Sequence, residues 1–221
     1  RLTGELTHAV PFFEKFTINV KVDHSLRAGD FYGYYFAGNS AKAVAINSVF
    51  SNISASSTGT KAGDVIGASD WGASADSSST YGSLTHVFDH VSSENGSLIG
   101  TLFSGNGKAS ANSVQVTIKN SSAKSAKASQ VYLSNAKFGA FNVQLENSQF
   151  TDNVFGIFAQ SSSSTQMLPT VSLTDDFVMN VVDSSASSIY GLRLETTSAK
   201  LDGVQLNVEH SNVKRGIKVY Q

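Results

Sequence analysis

A loose internal repeat constrains the fold of this sequence more than any other feature. A short apolar strand, often containing glycine, recurs roughly every 25 to 34 residues, an interval typical of solenoid coils. A Ser-rich spacer and a second apolar stretch follow each of these strands. The recurring strands begin at Gly33, Asp64, Ser97, Gln130, Phe155, Tyr190 and Gly216.

The repeats can be laid over one another by their apolar positions. Residues 46–53 and 84–91 share a central Val-Phe and end in aliphatic side chains. Later units with the same pattern cover 118–123, 145–154, 173–181 and 208–213. Val114, Val116 and Ile118 alternate with polar residues, which is the period of a strand with one buried face. No window of useful length has helical periodicity, so we predict strands throughout.

The sequence therefore predicts an all-β fold, a right-handed parallel β-helix of about six coils over residues 31–221. Residues 1–30 break the pattern, and we expect an N-terminal cap or an atypical first coil there, because an open solenoid end exposes strand edges and core. The Ser/Gly/Ala-rich stretch 54–80, which carries the single Trp71, suggests a side loop or a loosely packed coil. The spacer 161–164 is expected to be a polar side loop.

Two columns of stacked side chains follow from this register. A polar corner column is expected, because equivalent residues of stacked strands lie about 4.8 Å apart and Asn tolerates the left-handed backbone of a tight corner. Its predicted members are Asn120, Asn147, Asp175 and His210. An interior ladder of phenylalanines is predicted at Phe50, Phe88, Phe150 and Phe177.

Composition excludes several classes of protein. The 221 residues carry a net charge of -1, so no electrostatic footprint for nucleic acid is visible. Cysteine is absent, which excludes a disulfide scaffold, thiol catalysis and Cys-ligated metal. No apolar run is long enough to span a membrane. Because the chain begins with Arg1 and ends within a repeat, we expect a mature product or a fragment of a longer protein.

Residues 97–106, Ser-Leu-Ile-Gly-Thr-Leu-Phe-Ser-Gly-Asn, and the Val-Gln-Val-Thr-Ile that starts at Val114 resemble the GLUG-type repeat of bacterial surface proteins. The repeat units also resemble the right-handed β-helix passenger regions of bacterial autotransporters and large surface adhesins. This resemblance covers roughly residues 30–221 and lacks a clean Gly-Leu-Val-Gly run in most units. It implies a β-helix in a secreted or cell-surface setting and transfers no catalytic residue.

An enzymatic alternative rests on acidic side chains. Polysaccharide lyases and hydrolases that use this fold need several carboxylates on neighbouring coils, as general acid and base or as calcium ligands. The candidates are Asp152, Asp175 and Asp176, which do not form an obvious column in the alignment. The group His86, Asp89 and His90 aligns with ordinary polar corner residues, with His86 and His90 on one strand face unless a turn intervenes. We predict no metal site and no cofactor.

Aromatic side chains supply the binding hypothesis. Tyr32, Tyr34 and Phe36 alternate with Gly33 and Tyr35, so this strand presents aromatics on both faces. Aromatics on an exposed solenoid face are plausible contacts for a sugar or a protein, and packing against a cap at 1–30 is the alternative. The expected partner is a host-surface protein or glycan.

The functional hypothesis that follows is a non-enzymatic structural or adhesive segment of a secreted or surface-exposed bacterial protein. The alternatives are a polysaccharide-active β-helix enzyme and a passenger-type toxin or host-receptor ligand.

Overall fold

The structure is a computed structural model that describes residues 17–38, 40–57, 62–72, 74–132, 135–160, 169–195, 198–201 and 203–220. These residues form sixteen β-strands and no helix, and therefore no helix that could cross a membrane. The strands are β1 (Thr17–Ala28), β2 (Phe31–Gly38), β3 (Lys42–Ser56), β4 (Val65–Gly72), β5 (Ser78–Gly105), β6 (Lys108–Lys119), β7 (Ser122–Val131), β8 (Asn135–Glu146), β9 (Gln149–Phe150), β10 (Val154–Ala159), β11 (Thr170–Leu173), β12 (Phe177–Val182), β13 (Ser185–Leu194), β14 (Ser198–Lys200), β15 (Val204–Glu209) and β16 (Asn212–Tyr220).

The strands stack as a parallel β-solenoid of about six turns, which confirms the predicted fold class. Each circuit of the chain is one rung, and every strand pairing between rungs in the described residues is parallel. Six turns of the chain connect seven successive rungs, which are β1–β2, β3–β4, β5, β6–β7, β8–β10, β11–β13 and β14–β16. An antiparallel sandwich is thereby excluded.

Rung length varies although the register is kept. Hydrogen-bonded equivalents in successive rungs lie 28, 38, 30, 27, 36 and 27 residues apart. The two long intervals contain the undescribed stretches 58–61 and 161–168, and the second holds the spacer predicted as a side loop, which lies outside the described residues. The solenoid thus accommodates extra residues between strands without shifting the strands themselves.

The core consists of apolar side chains that alternate inward from every rung. Phe50 and Phe88 stack with ring centroids 5.4 Å apart, as the sequence predicted. Phe141 and Phe177 make a tilted ring contact at 5.5 Å. Both contacts join rings of successive rungs, so they run along the axis of the stack.

The phenylalanine ladder differs from the prediction in rungs five and six. Phe177 pairs with Phe141, and the column of Phe50 and Phe88 continues with Ile118, Leu145, Val181 and Val208. Phe150 is buried elsewhere, in the short strand β9 opposite Ala123. The predicted equivalence of Phe150 with Phe177 is wrong, because the unit of rung six begins eight residues later than the repeat suggested.

A polar corner column runs along the solenoid and depends on left-handed backbone. Its non-glycine residues all have φ between 45° and 56°: Asn52, His90, Asn120, Asn147, Asp183 and His210. The predicted members Asn120, Asn147 and His210 are confirmed, whereas Asp175 is wrong and Asp183 takes its place. The side chains also bond along the column, as in the donation from Asn147 Nδ2 to Asn120 Oδ1 at 2.8 Å.

The serine that follows each of the last four corner residues extends this column into a second ladder. Ser121, Ser148, Ser184 and Ser211 each donate their hydroxyl to the carbonyl two residues earlier. Each of these hydroxyls also accepts a backbone N–H from the preceding rung, as Ser148 Oγ does from Ser121 at 3.1 Å. Stacked corners therefore satisfy buried backbone donors that a tight turn leaves without a strand partner.

Two regional predictions have different outcomes. Within 54–80, residues 65–72 form the regular strand β4 with an almost continuous run of buried residues, so a side loop there is wrong. At the N-terminus, 17–28 form β1, which stacks in register on β3. The rest of the expected cap, 1–16, lies outside the described residues.

Candidate binding face

One sheet of the solenoid carries aromatic side chains on its outward side. It consists of β2, β4, the end of β5, β7, β10, β13 and β16. We call its outer surface the aromatic face. Its two main outward columns are Tyr32, Ile66, Ile99, Lys127, Phe155, Tyr190 and Lys218, and Tyr35, Ser69, Leu102, Gln130, Phe158 and Arg193.

A column of small residues explains why the outward positions are three residues apart rather than two. Between them, two successive residues face the core, the first of which is Gly33, Gly67, Gly100, Ala128, Gly156 or Gly191. A Cβ on Gly67 would lie 2.4 Å from His86 Nδ1, and one on Gly156 would lie 2.4 Å from Phe177 Cζ. These two positions therefore need glycine because the opposite wall of the core approaches the backbone closely.

The first two rungs expose three aromatic side chains on this face, which we call the open cluster: Tyr32, Tyr35 and Trp71. Their relative exposures are 38%, 50% and 47%. Tyr32 and Tyr35 make an edge contact with centroids 5.5 Å apart. Trp71 is paired in register with Ala37 on one side and with Ser104 on the other. Because both ladder neighbours are small, the faces of the indole ring are not covered by them.

The aromatics of later rungs, the closed cluster of Phe155, Phe158 and Tyr190, are already covered. Phe155 stacks on Tyr190 at 5.1 Å and contacts Phe158 at 4.9 Å. Lys127 Nζ and Arg193 Cζ lie 5.4 and 5.5 Å from the Phe158 ring centroid. These cation–π contacts hold the rings in the structure, so the closed cluster serves stability.

Lys127 is the most buried cation of the face. Burial lowers the pKa of its ammonium, and the nearby carboxylates of Asp64 and Asp152 oppose that effect. Its Nζ donates to Gln130 Oε1 at 3.2 Å, and Gln130 in turn donates to the Tyr132 hydroxyl. The charge is therefore compensated within the face.

A buried carboxylate lies directly beneath the open cluster. Asp70 faces the core between Phe36 and Phe103, and its Oδ2 accepts a 2.7 Å hydrogen bond from the Tyr81 hydroxyl. Its Oδ1 is buried without a hydrogen-bond partner. Burial raises the pKa of Asp70, although hydrogen bonding with Ser79 and Tyr81 opposes the shift. Burial also raises the pKa values of Tyr34 and Tyr81, and the Asp70 charge raises them further.

His86 is a second buried titratable group, and it lies in the core opposite the face. It pairs with Ser48 and Val116, and neither ring nitrogen has a hydrogen-bond partner. Complete burial lowers the pKa of the imidazole to about 3. The ring is therefore neutral at physiological pH and acts as a core side chain.

The structure divides the predicted binding residues Tyr32, Tyr34 and Phe36 between two sides of the sheet. Tyr32 faces outward, whereas Tyr34 and Phe36 pack against the core. Tyr35 and Trp71 join Tyr32 on the outer side, and alternation by two missed them because Gly33 adds one inward residue. The glycine that recurs in the equivalent strands, as Gly33, Gly67, Gly100, Gly156 and Gly191, was the available signal for that shift.

The acidic candidates of the enzymatic alternative are placed at two different corners. Asp152 lies between β9 and β10, where its backbone N–H donates to the Lys124 carbonyl at 2.8 Å. Asp175 and Asp176 are exposed between β11 and β12. The length of a strand separates the two positions within the rung, so the structure does not bring these carboxylates together.

The group His86, Asp89 and His90 is also split. His86 lies in the core, and His90 occupies the left-handed corner, so the two imidazoles do not share a strand face. His90 Nδ1 and Lys119 Nζ lie 2.8 and 3.2 Å from the Asp89 carboxylate. Within the part of the chain that the structure describes, no three metal-ligating side chains come together.

Comparison with other proteins identifies no family for this chain. No protein-family model matches the chain, no curated protein matches it, and no solved structure matches it.

Proposed function

We propose that this chain is a non-enzymatic structural and adhesive β-solenoid segment of a secreted or surface-exposed bacterial protein. The observation that carries the proposal is the open cluster on a rigid stack. Trp71 lies on β4, which is paired on both sides, and Tyr32 and Tyr35 lie on β2, which pairs with β4. All three residues expose aromatic surface. Exposed aromatics on an otherwise polar surface mark interaction sites.

The distribution of titratable groups supports binding rather than catalysis. The titratable groups Asp70, Tyr81 and His86, whose pKa values are shifted by burial, lie in the core, where a polymeric substrate has no access to them. The candidates of the enzymatic alternative lie at two separate corners, the half-buried Asp152 at one and the exposed Asp175 and Asp176 at the other. A general acid and base must flank one bond of the substrate, and this arrangement does not provide such a pair.

The repeat resemblance provides the finer part of the proposal. Gly-containing strands such as 97–106 resemble GLUG-type repeats and autotransporter passenger coils, and we propose the same cell-surface role for this chain. A host-surface protein or a glycan is the proposed partner.

The test is a binding screen combined with a turnover assay. The purified protein is applied to glycan and host-cell panels, and incubated with acidic and neutral polysaccharides in the presence of calcium. We expect saturable binding to at least one glycan or cell surface and no release of reducing or unsaturated ends. Turnover that is lost in Asp175→Asn or Asp152→Asn would replace the proposal with the enzymatic one.

A further inference from the structure

We infer that Tyr35 and Trp71, with Tyr32 beside them, form a stacking platform for the sugar rings of a neutral oligosaccharide. The inference rests on the proposed adhesive function and names its ligand class. Sugar rings present an apolar C–H face that packs on aromatic rings, while their hydroxyls bond to water or polar side chains. A platform of this kind needs aromatic rings with accessible faces on a rigid support.

The faces of Trp71 are accessible because of its ladder neighbours. Ala37 and Ser104 flank it in the two adjacent rungs, and neither side chain is large enough to cover an indole. Tyr35 likewise has only Ser69 beside it in the next rung. The closed cluster shows the opposite arrangement on the same face, since Phe155 and Tyr190 cover each other.

The two rings are spaced for one extended ligand. Tyr35 pairs with Ser69, and Trp71 lies two residues beyond Ser69 on the same side of β4. Diagonal neighbours of this kind on a sheet lie about 7–8 Å apart. Two neighbouring sugar rings of an oligosaccharide can therefore contact both aromatics at once.

The size of the open cluster favours a sugar over a protein partner. An aromatic side chain has about 150–250 Å² to bury, so exposures of 38–50% leave about 300 Å² on the three residues. A stable protein–protein interface needs about 800 Å² from each partner. The open cluster is too small for that and is large enough for a short oligosaccharide.

The charge around the open cluster favours a neutral ligand. The register neighbours of Tyr32, Tyr35 and Trp71 are Ile66, Ser69, Ala37 and Ser104, all without charge. The carboxylate beneath them, Asp70, is buried and hydrogen-bonded to Tyr81. The cations of this sheet, Lys127, Arg193 and Lys218, lie two or more rungs away beside the closed cluster.

The chain contains its own reporter for the test. Trp71 is the single tryptophan, so tryptophan emission comes from this site alone. Neutral tetrasaccharides of gluco, galacto and manno configuration are titrated into the protein, with tetragalacturonate as the acidic comparison, and emission and heat of binding are measured. We expect at least one neutral tetrasaccharide to shift the emission saturably and tetragalacturonate to bind more weakly.

Three variants locate the site. Tyr35→Ala should weaken the affinity about tenfold, which corresponds to losing one stacking contact. Ser104→Leu should weaken it similarly by covering the indole, although it removes no aromatic ring. Val44→Ala is the matched control, because Val44 is equally exposed at 47% and lies outside the aromatic face, and it should leave the affinity unchanged.

The outcomes separate the two proposals. If no neutral tetrasaccharide changes the emission or releases heat, or if Tyr35→Ala and Ser104→Leu bind like the parent protein, the platform is refuted. Adhesion to the cell or glycan panel that survives in these variants would refute the platform and leave the adhesive function standing. Tighter binding of tetragalacturonate than of every neutral probe would overturn the assignment of a neutral ligand.

Discussion

Asp70 is a carboxyl side chain that is buried in the core. The folded protein holds its pKa above the unfolded value of 3.8, because burial disfavours the carboxylate. Folding is therefore favoured by protonation, and the contribution of Asp70 to stability grows as the pH falls through the folded pKa towards 3.8. At neutral pH the same side chain opposes folding.

Asp70→Asn tests this reasoning. The neutral amide keeps the size of the side chain and can accept the Tyr81 hydroxyl, so we expect a higher urea midpoint than the parent at pH 7. The gain should shrink as the pH falls towards 4, because the raised pKa lets the parent carboxyl take up a proton sooner than an exposed carboxyl would. Tyr81→Phe should cost about 1–3 kcal/mol at pH 7 by removing the hydrogen bond that the Tyr81 hydroxyl donates to a buried carboxylate, and less in the Asp70→Asn background. Equal midpoints at pH 7 for parent and Asp70→Asn would show that the burial of Asp70 carries no charge penalty.

His86 acts in the opposite direction. Its pKa falls from 6.5 to about 3 on folding, so the folded state binds fewer protons than the unfolded state. The contribution of His86 to the free energy of unfolding is therefore fully present above pH 6.5. It is lost as the pH falls towards 3, by up to about 1.4 kcal/mol per pH unit.

His86→Leu should reduce this acid sensitivity. Leucine is of similar size and needs no hydrogen bond, so it can fill the position between Ser48 and Val116. Urea unfolding at pH 7, 5.5 and 4 is expected to show a flatter decline in the variant than in the parent. A parallel decline in both proteins would mean that His86 does not contribute to acid lability.

At the scale of elements, the corner column determines the register of the rungs. An Asn or Asp with left-handed backbone, followed by a serine whose hydroxyl bonds to both rungs, is found at Asn120, Asn147 and Asp183. In these corners the side chains replace the backbone partners that the turn removes. The Asn-Ser or Asp-Ser pair at a corner therefore indicates the register of a rung independently of the pattern of apolar residues.

Ser148→Ala measures what one corner contributes. The hydroxyl is fully buried and accepts the Ser121 N–H, so its loss leaves a buried donor without a partner. We expect a loss of about 1–3 kcal/mol in the free energy of unfolding. Ser122→Ala serves as the control, because Ser122 is an exposed serine next to Ser121 and does not belong to the ladder. It should change the free energy of unfolding by no more than about 0.5 kcal/mol. Equal effects of the two substitutions would contradict the serine ladder.

The same corners show how far the sequence could predict the fold. Ile118-Lys-Asn-Ser and Leu145-Glu-Asn-Ser align correctly, because the structure pairs Ile118 with Leu145. The corner of rung six was predicted at Leu173-Thr-Asp instead of at Val181-Val-Asp, because the two segments are similar. Only the serine that follows Asp183, Ser184, distinguishes them. Of the candidate binding residues Tyr32, Tyr34 and Phe36, only Tyr32 faces outward, because the extra inward residue at Gly33 moves the next outward aromatic to Tyr35.

At the scale of the whole molecule, stability is distributed along one axis. Each rung contacts only its neighbours, so rungs two to six are supported on both sides and rung seven on one. Ile217 shows the difference, because it occupies the inward column of Ile189 and is nevertheless 49% exposed at the end of the stack. The long interval between rungs two and three, which contains Trp71, could not be read from composition, because small residues in β4 pack tightly instead of forming a loop.

The one-dimensional stack has a mechanical consequence. Backbone hydrogen bonds between parallel rungs lie roughly along the stack axis, so a pull on its two ends opens rung interfaces one after another instead of shearing many bonds together. Each opened interface frees 27 to 38 residues, which is about 90–130 Å of extended chain. Extension in an optical trap should therefore rise in a series of small steps of two size classes, with the larger steps from the 38- and 36-residue intervals. A single abrupt rupture that released the whole contour length would show that the solenoid bears tension as one unit.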